Sequence, residues 1–145
     1  MSLMNFTNIL KLVRGEEPSR DESNELFKEV ALMVLARATS ADTNIKAVEV
    51  ESVQKILNRV TGEEISIPDI RTAAKSAIFE QKPLKKYLAG VRSNLDAEER
   101  VRIIQCLAEV IHSDDRISTF ETTYFDMVAE ALKATPSEIA GLVGV

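Results

Sequence analysis

The stretch ALMVLARATSADTNIKAVEVESVQKIL, residues 31–57, decides the fold of this chain, because residues 103–129, IIQCLAEVIHSDDRISTFETTYFDMVA, repeat its pattern at an offset of 72 residues. Each copy consists of an apolar run, a short acidic stretch and an amphipathic run. Five aligned positions are identical, and they pair Leu35 with Leu107, Ala36 with Ala108, Asp42 with Asp114, Ile45 with Ile117 and Glu49 with Glu121. The repeat predicts two related helix–loop–helix halves whose apolar helices pack together at the centre.

The apolar runs themselves favour helices. Between Val30 and Ala38 every residue except Arg37 is apolar, and a helix that is apolar on nearly all sides is expected in the middle of a domain. The run from Val101 to Ile111 is similar and is interrupted only by polar residues at 102, 105 and 109. Capping sequences at 19–22, 96–99, 118–121 and 135–138 predict helix starts.

The remaining segments complete an all-α prediction of about seven helices and no sheet. Helices are expected over about 3–14, 21–41, 46–60, from 67 to a break at Pro83, then near 84–91, 97–113 and 119–133, with a short terminal helix after Pro136. A chain of 145 residues suits one domain. Residues 1–20 are predicted to form an N-terminal amphipathic helix and linker, and residues 21–145 the helical domain.

The net charge of −5 and the lack of a concentrated basic face argue against nucleic acid as a partner. The densest basic group is Lys82, Lys85, Lys86 and Arg92, which is expected to be solvated. One cysteine, no apolar run of about 20 residues and no signal-peptide pattern predict a cytoplasmic protein. Contact with a membrane is expected only through the first helix. The sequence leaves the oligomeric state open.

The shared pattern of Asp, two residues, Ile, three residues and Glu resembles the repeated acidic loop of the TerB-like (tellurite resistance protein TerB) family, commonly A-D-G-x-I-x-x-x-E. Ala41-Asp42-Thr43-Asn44-Ile45 with Glu49 match one copy, and Ser113-Asp114-Asp115-Arg116-Ile117 with Glu121 match the other. The resemblance extends from about residue 21 to 142. It implies an all-α TerB-like fold, a role around tellurite resistance or stress response, protein partners, and no known reaction.

The resemblance also suggests a divalent-cation site, whose oxygen ligands would be Asp42, Glu49, Asp114 and Glu121. The adjacent carboxylate of Asp115 could add a further ligand to this site. The family glycine is replaced by Thr43 and Asp115, so the first loop is expected to turn differently. An EF-hand is excluded, because its first ligand position would be apolar, at Ala38 or Val110. No cofactor other than such a cation is implied.

Capping offers a competing interpretation of the same acidic residues. Glu121 stands three residues after Ser118, and carboxylates in the first turn of a helix are favoured by its dipole. The single histidine, His112, is expected to be a helix-end residue, and Cys106 is expected to be buried and unreactive. The preferred hypothesis is a non-enzymatic protein-interaction module that uses an acidic surface, and the cation-binding module is the alternative.

Overall fold

The computed structural model describes residues 6–16, 20–39, 50–76, 78–112 and 119–133. Within these ranges the chain forms only helices, as predicted. The elements in chain order are α1 (Thr7–Val13), α2 (Arg20–Ala38), α3 (Val50–Thr61), α4 (Ile67–Ala74), α5 (Ile78–Gln81), α6 (Leu84–Val91), a 3-10 helix (Arg92–Asn94), α7 (Ala97–His112) and α8 (Thr119–Ala131).

Helix α2 is the centre of the fold. It packs against α1, α3, α4 and α7, and its residues from 30 to 38 are all buried apart from the half-buried Arg37. The helix ends at Ala38, about three residues earlier than predicted. The reason is Thr39, whose N–H and hydroxyl both donate to the carbonyl oxygen of Ala36, at 3.0 and 2.6 Å.

The two halves of the repeat differ in burial. Helix α7 buries Ile103, Ile104 and Leu107 completely, but it keeps the polar residues at positions 102, 105 and 109 exposed. These three positions lie along one side of the helix, because they are three and four residues apart. Helix α7 is therefore amphipathic, and α2 is the more completely enclosed of the two repeated helices.

A glycine, two side-chain hydrogen bonds and a serine cap fix the connection from α3 to α4. Gly62 ends α3 with a φ of +70°, a conformation in which a side chain would be strained. The side chains of Asn58 and Gln54 bond the N–H and the carbonyl of Ile65, at 2.8 and 3.0 Å. Ser66 then caps α4 by accepting from the N–H of Asp69, with a proline in the first turn.

The predicted helix from 67 to Pro83 is in fact two helices, and long-range hydrogen bonds explain the break. Arg37 donates to the carbonyl oxygen of Ala74 at 2.8 Å, the oxygen that a continuous helix would offer to the N–H of Ile78. That N–H points instead to the Ser76 hydroxyl at 3.5 Å. The carbonyl of Ile78 accepts from the buried Tyr87 hydroxyl at 2.6 Å, which fixes α5 on α6.

The start of α7 and the end of α8 lie close together. Asp96 and Glu99 form a reciprocal capping box at the start of α7, with bonds of 2.7 and 3.1 Å. Arg100 and Arg92 donate to the carbonyl oxygens of Leu132 and Ala131, at 3.1 and 3.4 Å. Guanidinium groups at a helix C-terminus satisfy its free carbonyls and favour its dipole. These bonds align α7 and α8 in opposite directions.

Candidate functional site

Most of the predicted cation ligands lie outside the described residues. Asp42, Glu49, Asp114 and Asp115 belong to the segments 40–49 and 113–118, of which the structure describes nothing. Glu121 lies in the first turn of α8, and its side chain is also outside the described part. The structure therefore shows the helices on either side of each acidic segment. The ends of these helices are what locates the predicted site.

A hydrogen bond ties these helix ends together. The Tyr124 hydroxyl in α8 donates to the carbonyl oxygen of Val34 in α2 at 2.8 Å. Burial raises the pKa of the Tyr124 hydroxyl, and the positive charge of the nearby Arg37 opposes that rise only in part. The hydroxyl therefore keeps its proton at all ordinary pH values and can always donate this hydrogen bond. Tyr124 lies five residues after the start of α8, and Val34 lies four residues before the end of α2.

An ion pair joins α3 to α7. Arg59 donates to both carboxylate oxygens of Glu109, at 2.8 and 3.0 Å, and this contact raises the pKa of Arg59. More than half of the Arg59 side chain is exposed, so water and salt screen the pair. The pair specifies how α3 and α7 meet and adds little to stability.

The charged residues are unevenly distributed along the chain. Residues 40–51 and 113–121 contain six acidic and two basic side chains, a net charge of −4. One of these six acids, Glu51 in the first turn of α3, is exposed. Asp126, which lies outside the two segments in α8, is also exposed. By contrast, residues 67–94 contain six basic and two acidic side chains, a net charge of +4. The negative charge is thus concentrated in the two acidic segments of the sequence, and the positive charge in residues 67–94.

A buried carboxylate forms a second polar centre, in the contact between α2 and α1. Glu29 is only 3% exposed. Its carboxylate accepts hydrogen bonds from the N–H groups of Asn8 and Ile9, at 2.9 and 3.3 Å, and from the Asn8 side chain at 2.6 Å. Burial raises the pKa of Glu29, although these hydrogen bonds act in the opposite direction. The carboxylate satisfies the free N–H groups at the start of α1.

The described residues contain no preformed metal site. Within them, no three His, Cys, Asp or Glu side chains are grouped so that they could hold an ion. Cys106 is buried, as predicted, and burial raises the pKa of its thiol to about 11. His112 ends α7, and its side chain is outside the described part. None of the helices seen in the structure is long and apolar enough to cross a membrane.

The comparison with protein families identifies the chain. The model of the family described as tellurite resistance protein TerB matches residues 28–142. This chain belongs to the TerB family. The match begins within α2, so it includes the central helix and both acidic segments of the TerB domain, and it leaves out α1. Neither the curated proteins nor the solved structures contain a significant match.

Two polar contacts of this TerB domain were not predicted from the sequence. The hydrogen bond between Tyr124 and Val34 joins residues 90 positions apart. Its acceptor is a backbone carbonyl, which every residue has, so the sequence does not indicate it. Glu29 gave no clear signal either, because it follows Lys28 at the end of the mostly polar first half of α2.

Proposed function

We propose that this TerB-family chain is a non-enzymatic interaction module, which binds a protein partner through the acidic residues Asp42, Glu49, Asp114, Asp115 and Glu121. The partner surface would be rich in Lys and Arg, because opposite charges steer association and fix its orientation. The fold-level evidence is family membership, and the partner chemistry is inferred from the charge of the two acidic segments.

The observation that carries this proposal is the hydrogen bond between Tyr124 and Val34. At about 1.5 Å per helical residue, Val34 lies about 6 Å from the end of α2 and Tyr124 about 7.5 Å from the start of α8. Segments of ten and six residues can span up to roughly 33 and 20 Å. The two acidic segments therefore leave the helical framework within reach of each other, which supports a joint binding surface.

The test compares two variants of equal net charge. The loop variant is Asp42→Asn, Glu49→Gln, Asp114→Asn and Glu121→Gln. The matched control changes four carboxylates elsewhere on the surface: Glu64→Gln, Glu80→Gln, Glu98→Gln and Glu130→Gln. All four control residues are exposed, and only Glu98 makes an ion pair with another described residue, at 3.7 Å.

Partners of the wild-type chain would be captured, identified and titrated in purified form. We expect the loop variant to bind at least about tenfold more weakly than the wild type, which corresponds to about 1.4 kcal/mol. The control should retain the wild-type affinity. Equal affinity of the loop variant and the control would rule out the acidic segments as the binding surface.

A divalent-cation site is the second candidate, and the repeated D-x-x-I-x-x-x-E pattern favours it, because the repeat supplies carboxylate oxygens twice. An ion that binds only the folded chain adds about 2.7 kcal/mol at a hundredfold excess over its dissociation constant. For a chain of this size the midpoint of thermal unfolding would rise by roughly 5–10 °C. The measurement uses metal-stripped protein with calcium, magnesium, manganese or zinc.

The double variant Asp114→Asn and Glu121→Gln decides between the two candidates. A thermal shift in the wild type that this variant abolishes would place an ion in the acidic segments. If no ion raises the midpoint of thermal unfolding of the wild type, the carboxylates act by charge or by capping their helices. The link to tellurite is tested separately, by asking whether the wild-type gene, but not the loop variant, restores growth on tellurite to a strain lacking it.

A further inference from the structure

Helix α1 covers an apolar groove between α2 and α6. It packs against both helices, and it buries Phe6 and Ile9 completely while Leu10 and Leu12 lie at the edge of the core. The TerB family match begins at residue 28, after α1 and before Glu29. The groove and its buried carboxylate therefore belong to the family domain, and α1 occupies them from outside the matched region.

The groove recognises the start of a helix. Glu29 accepts from the backbone N–H groups of Asn8 and Ile9, two of the donors that the first turn of a helix leaves without a partner. A negative charge at this position also complements the positive end of the helix dipole. Phe6 and Ile9, three residues apart, supply the apolar side that faces the groove.

Helix α1 fits this groove with local costs. Phe6 caps the helix in the left-handed region, with a φ of +50°, where a residue with a side chain is strained. The Oδ1 atom of Asn8 is buried without a hydrogen-bond partner, because its amide nitrogen is turned towards Glu29.

These costs make α1 an occupant that a better-fitting helix can displace. A helix of seven residues is not stable alone in water, so α1 depends on the groove for its structure. We propose that the groove between α2 and α6 is a docking site for an amphipathic helix of a partner protein, whose first-turn N–H groups bind Glu29, and that α1 closes the site in its absence.

The chemistry of the partner follows from what α1 lacks. The partner carries one apolar residue just before its helix and another in the first turn, as this chain does with Phe6 and Ile9. Where α1 has Asn8, the partner has a small residue without an unsatisfied buried oxygen. This inference concerns α1, α2 and α6 and not the acidic segments, so it can fail without affecting the proposed function.

The test uses a fluorescent peptide of residues 4–16 as the probe and the full chain as the receptor. The double variant Phe6→Ser and Ile9→Ser weakens α1 within the chain and leaves the groove unchanged. We expect the probe to bind this variant at least about tenfold more tightly than the wild type, because an intramolecular occupant reduces the fraction of open groove. A probe with the same two serines should not bind.

Two further substitutions at Glu29 test how the probe is recognised. Added to the open variant, Glu29→Met removes the acceptor and should abolish binding, whereas Glu29→Gln keeps an acceptor and should retain it. The Asn8→Asp variant opens the groove differently, by placing a second carboxylate against Glu29 without altering the apolar contacts. It should bind the probe as the serine variant does.

Each other outcome overturns the proposal. If both open variants keep their helical circular dichroism and do not bind the probe, the groove is not a docking site. If both lose their helical signal, α1 is an integral part of the core and not a displaceable occupant. Binding that is unaffected by Glu29→Met would locate the probe elsewhere. A wild-type dimer that dissociates in the serine variant would make a second copy, and not a partner protein, the source of the helix.

Discussion

The hydroxyl of Tyr124 donates a 2.8 Å hydrogen bond to the carbonyl oxygen of Val34, which joins α8 to the central helix of the TerB domain. Both residues are buried. Because the carbonyl belongs to the interior of α2, the bond depends on the position of the backbone and not on the identity of residue 34. It therefore holds the second half of the repeat against the first at a defined position along α2.

We expect Tyr124→Phe to lower the free energy of unfolding by about 1 kcal/mol, because the aromatic ring keeps its packing and only a buried hydrogen bond is lost. The midpoint of thermal unfolding should fall by roughly 3 °C in a chain of this size. Tyr87→Phe is the control, since its hydroxyl bonds a carbonyl that is only partly buried, and its loss should be smaller. An unchanged midpoint for Tyr124→Phe would contradict the importance of the bond.

Glu29 should make stability depend on pH in an unusual direction. Its pKa in the folded chain is raised, so the native state holds the proton at pH values where the unfolded chain has released it. The contribution of Glu29 is therefore most favourable below the unfolded pKa of about 4.3, and it decreases as pH rises through the folded pKa. Most carboxylates, which are paired in the native state, act in the opposite direction.

The Glu29→Gln variant isolates this effect, because its side chain does not titrate. Urea unfolding at several pH values between about 4 and 7.5 gives the difference in stability between wild type and variant at each pH. We expect the wild type to lose stability relative to the variant as pH increases. A difference that is constant, or that changes in the other direction, would show that burial does not raise the pKa of Glu29.

The ion pair between Arg59 and Glu109 should contribute little despite its short distances. Both side chains are substantially exposed, and such pairs measure about 0.2–1 kcal/mol in double-mutant cycles. A cycle of Arg59→Met and Glu109→Gln should give a coupling in this range that decreases in about 1 M salt. The same cycle on the longer ion pair of Arg102 and Glu98, at 3.7 Å, is the control and should give a smaller coupling energy. A coupling above this range that salt leaves unchanged would indicate a desolvated pair.

Cys106 should react with thiol reagents only after unfolding. Burial raises the pKa of its thiol to about 11, so almost no thiolate is present in the folded chain at pH 8. We expect labelling by a chromogenic disulfide to be roughly a hundredfold slower in buffer than in urea, because an unfolded cysteine has a pKa of about 8.5. Rapid labelling of the native chain would mean that the thiol is accessible.

The sequence predicted most of the helical framework correctly because the relevant signals are local. The capping sequence at 96–99 is an example, because the reciprocal pair of Asp96 and Glu99 involves residues only three positions apart. The burial of α2 also follows from its own composition. For the candidate site, the sequence identified the acidic residues and the family, whereas their grouping remains a prediction.

The differences arose where contacts between distant residues outweigh local preference. The sequence favoured one helix as far as Pro83, but Arg37 takes the carbonyl of Ala74 and divides it. The amphipathic character of residues 6–13 was evident, yet only the structure shows that Glu29 satisfies the N–H groups of Asn8 and Ile9. Such bonds depend on which helices become neighbours.

The sequence by itself determined the all-α class, the ends of several helices, the acidic repeat and the resemblance to TerB, because helix periodicity, capping and motif spacing are properties of consecutive residues. The tertiary structure alone decided that Arg37 ends α4 before Pro83, that Tyr124 joins the two halves, and that α1 fills a groove lined by a buried carboxylate. These features require pairs of residues 20 to 90 positions apart to meet, and only the packing of the helices brings them together.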